Sequence, residues 1–217
     1  MIRMLTKLPR DITVAFSGGI DSVAVVDFLR RNHTVTCAFF HHRTENSTVA
    51  HKFVTQFCEE RNLSLVVGIL NKDKPKDKSI EEHWRDERYR FFDNFGIVVT
   101  AHHLGDCIET YLFSAMHGNP KLIPMTRGNV VRPFLTTHKS EFFDWCLRKD
   151  LPFCHDKSND DDKYMRNYIR KHVVPHAYKV NPGIDKVVKK MVQDACKSTQ
   201  KSLDVHVVKG QVQGRIL

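Results

Sequence analysis

The chain has no apolar run approaching the roughly 20 residues that a membrane-spanning helix requires, so a bilayer-embedded protein is not expected. Its first ten residues are broken by Arg3, Lys7 and Pro9 and are too short for a secretory leader, which makes the cytoplasm the expected location. Paired cysteines are missing as well. Cys37, Cys58, Cys107, Cys146, Cys154 and Cys196 are scattered with no C-x-x-C among them, which speaks against a disulfide framework and against a paired-cysteine zinc site. Two familiar phosphate-binding patterns are absent: G-x-x-x-x-G-K followed by Ser or Thr, and G-x-G-x-x-G. Internal repeats and low-complexity tracts are lacking too, so 217 residues predict one full domain with a small appendage. Acidic residues are in the minority, 25 Asp and Glu against 34 Lys and Arg. The resulting net charge of +9 favours polyanionic partners, nucleic acid among them, without naming one.

What is present is an alternation of strand-like and helix-like segments. Residues 11–16, 34–40, 63–70 and 97–101 read as short β-rich apolar runs. Between them, residues 20–31, 47–61, 79–94 and 104–117 carry helical spacing, the third with Ser79 as N-cap and Glu82 three residues on. The continuous apolar stretch 65–67 suits a strand covered on both faces. Strand–helix alternation at this spacing predicts a Rossmann-like, doubly wound parallel α/β sheet with a short helical C-terminal extension. Residues 71–78 and 118–128 read as loops. Beyond residue 130 the spacing predicts helices over 137–149, 164–178 (disturbed by Pro175) and 185–202, a polar loop over 156–163, and an edge strand or tail over the last fifteen residues. The expected division is an α/β domain over 1–135 and a mainly helical region over 136–217.

The first strand stops at Ser17-Gly18-Gly19-Ile20-Asp21-Ser22, where a helix begins. Adjacent glycines fold the backbone tightly and expose its N–H groups, and the helix start adds unpaired N–H donors and the positive end of its dipole. Ser17 and Ser22 can donate hydroxyl hydrogen bonds to phosphate oxygens. Asp21 would oppose an anion unless Mg²⁺ lies between them or unless it caps the helix. An ordinary strand-to-helix turn is the plainer alternative.

This loop resembles the S-G-G-x-D-S loop of the PP-loop ATP pyrophosphatases, which split ATP between its α- and β-phosphates. Further segments resemble, in order, those of tRNA(Ile)-lysidine synthetases. Glu82-His83-Trp84-Arg85-Asp86-Glu87-Arg88-Tyr89 is similar to E-x-x-R-x-x-R-Y, and 101–110 to A-H-H-x-D-D-x-x-E-T. Arg132-Pro133-Phe134-Leu135, Asp156-Lys157-Ser158-Asn159 and Arg166-Asn167-Tyr168-Ile169-Arg170 are similar to R-P-L-L, D-x-S-N and R-N-x-I-R. Gly105-Asp106 stands where that family has two aspartates.

The resemblance implies an ATP- and Mg²⁺-dependent ligase acting on tRNA(Ile) with a CAU anticodon and on free L-lysine, with a homodimer open as the assembly. The 2-oxo oxygen of the wobble cytidine would attack the α-phosphate, and the lysine amine would then displace AMP. Ser17, Gly18, Gly19, Asp21 and Ser22 would hold ATP, with Asp21 on Mg²⁺. Asp106 and Glu109, three apart on one helix face, would hold the lysine ammonium. His102 would line the adenylation site, and Arg85 and Arg88 would offset negative charge. Arg132, Arg166, Arg170, Lys189 and Lys190 are candidates for RNA contact. Plainer roles stand beside these: an acidic helix face, a core histidine, helix-surface salt bridges and a solvated lysine face. Competing readings are a tRNA-thiolating enzyme of the same superfamily, a small-molecule amide-forming ligase and a non-catalytic RNA-binding module.

Overall fold

The computed structural model describes residues 1–70, 74–154 and 165–212, with side chains through residue 198. Among them, no helix is long and apolar enough to cross a membrane. Strand β1 (Asp11–Ala15) lies at the centre of a six-stranded sheet ordered β3-β2-β1-β4-β6-β5. β2 (Thr34–His41) and β3 (Ser64–Ile69) extend the sheet on one side of β1, and β4 (Val98–Val99) and β6 (Val130–Val131) on the other, all parallel. β5 (Thr126–Arg127) closes that edge antiparallel to β6. The chain thus winds outward from β1 in one direction and then crosses to its other side. That reversal opens a crevice beyond the carboxyl ends of β1 and β4, the place where open α/β sheets receive ligands.

Helix α1 (Ile20–Leu29) is buried along nearly its whole length, from Ser22 through Asp27 and at Leu29. One neighbour is α5 (Lys139–Arg148), whose Phe142 and Cys146 join the same core as Val14, Val23 and Val26. Asp27 tolerates this burial because Arg30 and the Trp145 indole N–H both donate to it, at 2.9 and 3.0 Å. Helix α2 (Glu45–Glu60) is capped by Thr44, which accepts from the Ser47 N–H, and α3 (Ile80–Phe92) by Ser79, which accepts from Glu82. Helix α4 (Leu104–Met116) packs Leu104, Cys107 and Ile108 against Ile184, Val188 and Val192 of α8 (Ile184–Val212).

Three local departures from the sequence pattern have physical causes. The β5–β6 hairpin falls partly inside a predicted loop, because two-residue strands are too short to show a period; Gly128 (φ +57°) makes its turn. The segment after residue 164 divides into α6 (Met165–Tyr168), a π-helical turn (Ile169–Val173) and α7 (Val174–Val180). Pro175 has no N–H to give to the preceding turn, and the backbone widens just before it, with Val174 donating back to Ile169. The expectation of an edge strand or tail over the last fifteen residues is corrected for residues 203–212, where α8 continues through Val212, and residues 213–217 lie outside the described residues.

Candidate active site

The phosphate loop is shaped by two close approaches. Gly18 has φ +81°, and a Cβ there would stand 2.8 Å from the Phe53 ring and 3.1 Å from Val54, so α2 closes tightly behind the loop. Gly19 is the N-cap of α1, and no side chain caps that helix. The N–H groups of its first turn therefore have neither an intrahelical partner nor a side-chain one, which leaves donors for an anion. The Ser22 hydroxyl donates to the Gly19 carbonyl at 2.8 Å and lies 3.2 Å from the exposed Ser17 hydroxyl.

Asp21, in the first turn of α1, has one carboxylate oxygen (Oδ1) buried without a hydrogen-bond partner. Burial raises its pKa, opposed by His103 and Lys139. Its other oxygen lies 3.8 Å from His103 Nε2 and 4.0 Å from Lys139 Nζ. An orphaned, inward-facing carboxylate oxygen beside a phosphate loop suits Mg²⁺, which takes one or two carboxylates and otherwise uses substrate oxygens and water. No group of three or more metal-ligating side chains occurs among the described residues, so an all-protein metal cage is not what the site offers.

Residues His102 to Glu109 sit one strand away, at the exit of β4. His103, 4 % exposed, caps α4: its Nδ1 accepts from the Asp106 N–H at 3.4 Å, while the Asp106 carboxylate accepts from the His103 N–H at 2.8 Å. The same imidazole therefore touches Asp21 of the phosphate loop on one side and Asp106 on the other. Gly105 makes room for it, since a Cβ at that position would be 2.8 Å from the imidazole Cε1. His102 instead shares a hydrogen bond of 2.8 Å with the Thr100 hydroxyl. Burial pulls its pKa down to about 4, helped by Arg166, Arg132 and Arg88 and opposed by Asp106, so the ring is neutral at pH 7.

Asp106 and Glu109 do share one face of α4, and two arginines occupy it. Arg170 grips Glu109 with two hydrogen bonds of 2.6 and 3.0 Å, and Arg166 bridges Glu109 and Asp106 at 3.2 Å each. Glu109 is only 5 % exposed. Burial works to raise the Asp106 pKa, but His103, Arg166 and the backbone bond outweigh it and hold the carboxyl below its ordinary value. This acid pair is thus occupied by two guanidiniums from one helical segment.

Arg85 and Arg88 lie on α3 without a carboxylate partner among the described residues; Arg85 stacks on Tyr89, its guanidinium carbon 5.0 Å from the ring centroid. Burial lowers the Arg88 pKa, and Arg85 and Arg166 push it the same way. Arg132 is interior, 1 % exposed, and donates to the Pro124 carbonyl and the Tyr89 hydroxyl. Lys189 is half-buried in a cleft with Met1, Arg3 and Glu141, and Lys190 is exposed; both lie on α8. Asp156, Ser158 and Asn159 lie outside the described residues.

The model of the ATP-binding PP-loop domain family matches residues 3–177. The chain belongs to the PP-loop family. A "tRNA(Ile)-lysidine synthase" of a Thermotoga species (strain RQ2) is 31% identical to this PP-loop domain over 200 residues, 83% of the chain and 48% of the relative. A "Bifunctional protein TilS/HprT" of Listeria innocua is 31% identical over 212 residues, 87% of the chain and 33% of the relative. The domain therefore spans half or less of the length of these relatives. Among solved structures, the U34-tRNA thiolase NcsA from Methanococcus maripaludis superposes with a TM-score of 0.68 at 13% identity, over 89% of this chain and 74% of that one. At that identity the likeness speaks for the fold. The PP-loop frame also explains what reasoning from sequence missed. His103 and Lys139 converge on Asp21, and the readable signal for His103 was its N-cap place three residues before Asp106.

Proposed function

We propose that this PP-loop domain catalyses ATP-dependent attachment of L-lysine to the wobble cytidine of tRNA(Ile) with a CAU anticodon, in the cytoplasm. The observation that carries the reading is the meeting, at the β1/β4 crevice, of a glycine-rich loop that starts an uncapped helix with an acid pair that already holds two guanidiniums. The names of its sequence relatives support the same substrate. Residues 1–135 would form the nucleotide-binding α/β domain, and residues 136–217 a mainly helical region carrying further candidates for RNA contact, Lys189 and Lys190 among them.

In the first step the loop N–H groups and the Ser17 hydroxyl orient the triphosphate so that the cytidine 2-oxo oxygen can attack the α-phosphorus and pyrophosphate leaves. Mg²⁺, held by Asp21, would supply charge neutralisation there. Arg85 and Arg88, without carboxylate partners among the described residues, offset charge that develops on phosphate and base. Neutral His102 lines the site as a hydrogen-bonding group rather than a cation.

In the second step the lysine amine attacks the activated ring carbon, the carbon–oxygen bond breaks, and AMP departs with that oxygen. Only a neutral amine is nucleophilic, so one proton must leave it. Asp106 and Glu109 receive the ammonium in place of the Arg166 and Arg170 guanidiniums that now satisfy them. Glu109→Gln tests this assignment. RNA-dependent pyrophosphate release should persist while lysine transfer falls at least 100-fold; normal lysine transfer would remove Glu109 from the mechanism.

A thiolation reading draws no support from Cys107. Cys107, beside Asp106, is fully buried, and burial pushes it up to about 12, so it is not a thiolate at neutral pH.

A further inference from the structure

Four arginines lie close to one tyrosine at the far edge of the sheet, and three of them contact it. Arg127, on the β5 edge strand, places its guanidinium carbon 4.7 Å from the Tyr89 ring centroid, and Arg85 approaches the same ring to 5.0 Å. Arg88 neighbours Tyr89 on α3, and Arg132 donates to the Tyr89 hydroxyl at 2.7 Å from beneath. None of the four pairs with a carboxylate among the described residues. The acid on this side of α3, Asp86, is engaged by Lys78, and Arg127 is near enough to help hold its pKa down without forming an ion pair with it. Arg132 carries the sharpest signal: it is a buried guanidinium whose hydrogen-bond acceptors are neutral oxygens, and its Nε has none. A buried cation without a counterion is costly unless an anion arrives from outside.

We infer that Arg85, Tyr89 and Arg127 form a docking station for the RNA backbone phosphates, supported from within by Arg132. Both exposed guanidiniums lie within 5.0 Å of one centroid, so they stand no farther apart than about the 10 Å Debye length at 0.1 M salt, and their fields add. Tyr89 fixes the distance between them by cation–π contact. Arg127, on β5, stands apart from the phosphate loop that follows β1. β4 and β6 intervene between β1 and β5, and three strand spacings amount to roughly 14 Å. A triphosphate anchored at residues 17–22 does not span that gap, whereas a polynucleotide bound beside it does. Positive charge from this quarter also reaches His102, whose pKa Arg132 and Arg88 help to lower.

The inference rests on RNA being the substrate but not on lysine being the nucleophile. The test uses the full chain without nucleotide and two fluorescein-labelled RNA stem-loops, one with a CAU loop and one of unrelated sequence. Each is titrated at several salt concentrations against wild type, Arg127→Ala and Arg127→Lys. Arg127→Ala should weaken both RNAs alike, about 3- to 10-fold at 0.15 M salt, and flatten the log–log salt slope by about 0.7–0.9, one phosphate contact. Arg127→Lys should restore most of the slope, which a folding defect would not. Affinity and slope unchanged in Arg127→Ala would overturn the station, as would an effect confined to the CAU loop, which would mean base reading. If Arg127→Ala behaves as expected while wild type never transfers lysine, the station stands and the lysidine reading falls.

Discussion

Replacing Gly105 by alanine sets two effects against each other at the join between the phosphate loop and the acid pair. Alanine is the better helix former by about 1 kcal/mol in a helix interior, and by less in a first turn, where Gly105 sits. Against this, the new Cβ would lie 2.8 Å from the His103 Cε1 and 3.0 Å from its Nδ1. The imidazole cannot swing away freely, because it is buried, packs against Phe142 and stands between Asp21 and Asp106. Displacing it gives up a helix cap of about 1 kcal/mol and forces a strained rotamer of about 0.5–1.5 kcal/mol. The clash should win, leaving a net loss of about 1–2 kcal/mol. For a chain of this length that lowers Tm by about 2–8 °C, readable by calorimetry at pH 7. Gly105→Asp, which recreates the paired aspartates of the lysidine synthetases, should be at least as damaging in this chain. A Tm equal to or above wild type for Gly105→Ala would refute the bridging role given to His103.

Other expectations follow from single contacts. His102 is protonated near pH 6.5 when unfolded and near pH 4 when folded, so between those values the unfolded state binds more protons. Stability should therefore fall as pH drops through that window, by about 2 kcal/mol at pH 5, and His102→Gln should remove most of this dependence in urea melts. Arg170→Ala leaves Glu109 buried with fewer charged donors and should cost about 2 kcal/mol by the same assay, whereas an unchanged urea midpoint would show the pair to be idle. Tyr89→Phe removes the acceptor for a buried Arg132 donor and should cost about 1–3 kcal/mol in thermal or urea unfolding. Gly18→Ala combines a left-handed backbone with a 2.8 Å approach to Phe53, so nucleotide affinity measured by calorimetry should collapse along with some stability.

The parallel strands and the helices between them were legible because each carries its own periodicity: the apolar run of β3, the helical spacing of α1 and α2, the Ser79 cap of α3. The phosphate loop was legible from its paired glycines, though the reason Gly18 must be glycine, the proximity of Phe53 and Val54, depends on residues 35 and 36 positions further along the chain. What stayed hidden depends on long-range encounter. Nothing in the order of residues says that Arg166 and Arg170 will close on Asp106 and Glu109, 57 to 61 positions earlier. Local pattern likewise could not tell which of His102 and His103 would turn inward to cap α4. Arg132 read as a candidate for RNA contact, and its burial depends on the Tyr89 hydroxyl and the Pro124 carbonyl meeting it.

The most direct test incubates the purified chain with ATP, Mg²⁺, radiolabelled L-lysine and tRNA(Ile) bearing a CAU anticodon. Label should enter the RNA, require ATP, release pyrophosphate and AMP in equal amounts to the lysine joined, and vanish with Asp106→Ala. Pyrophosphate release without label in the RNA would contradict the account, since it would mean that the phosphate loop serves a different nucleophile.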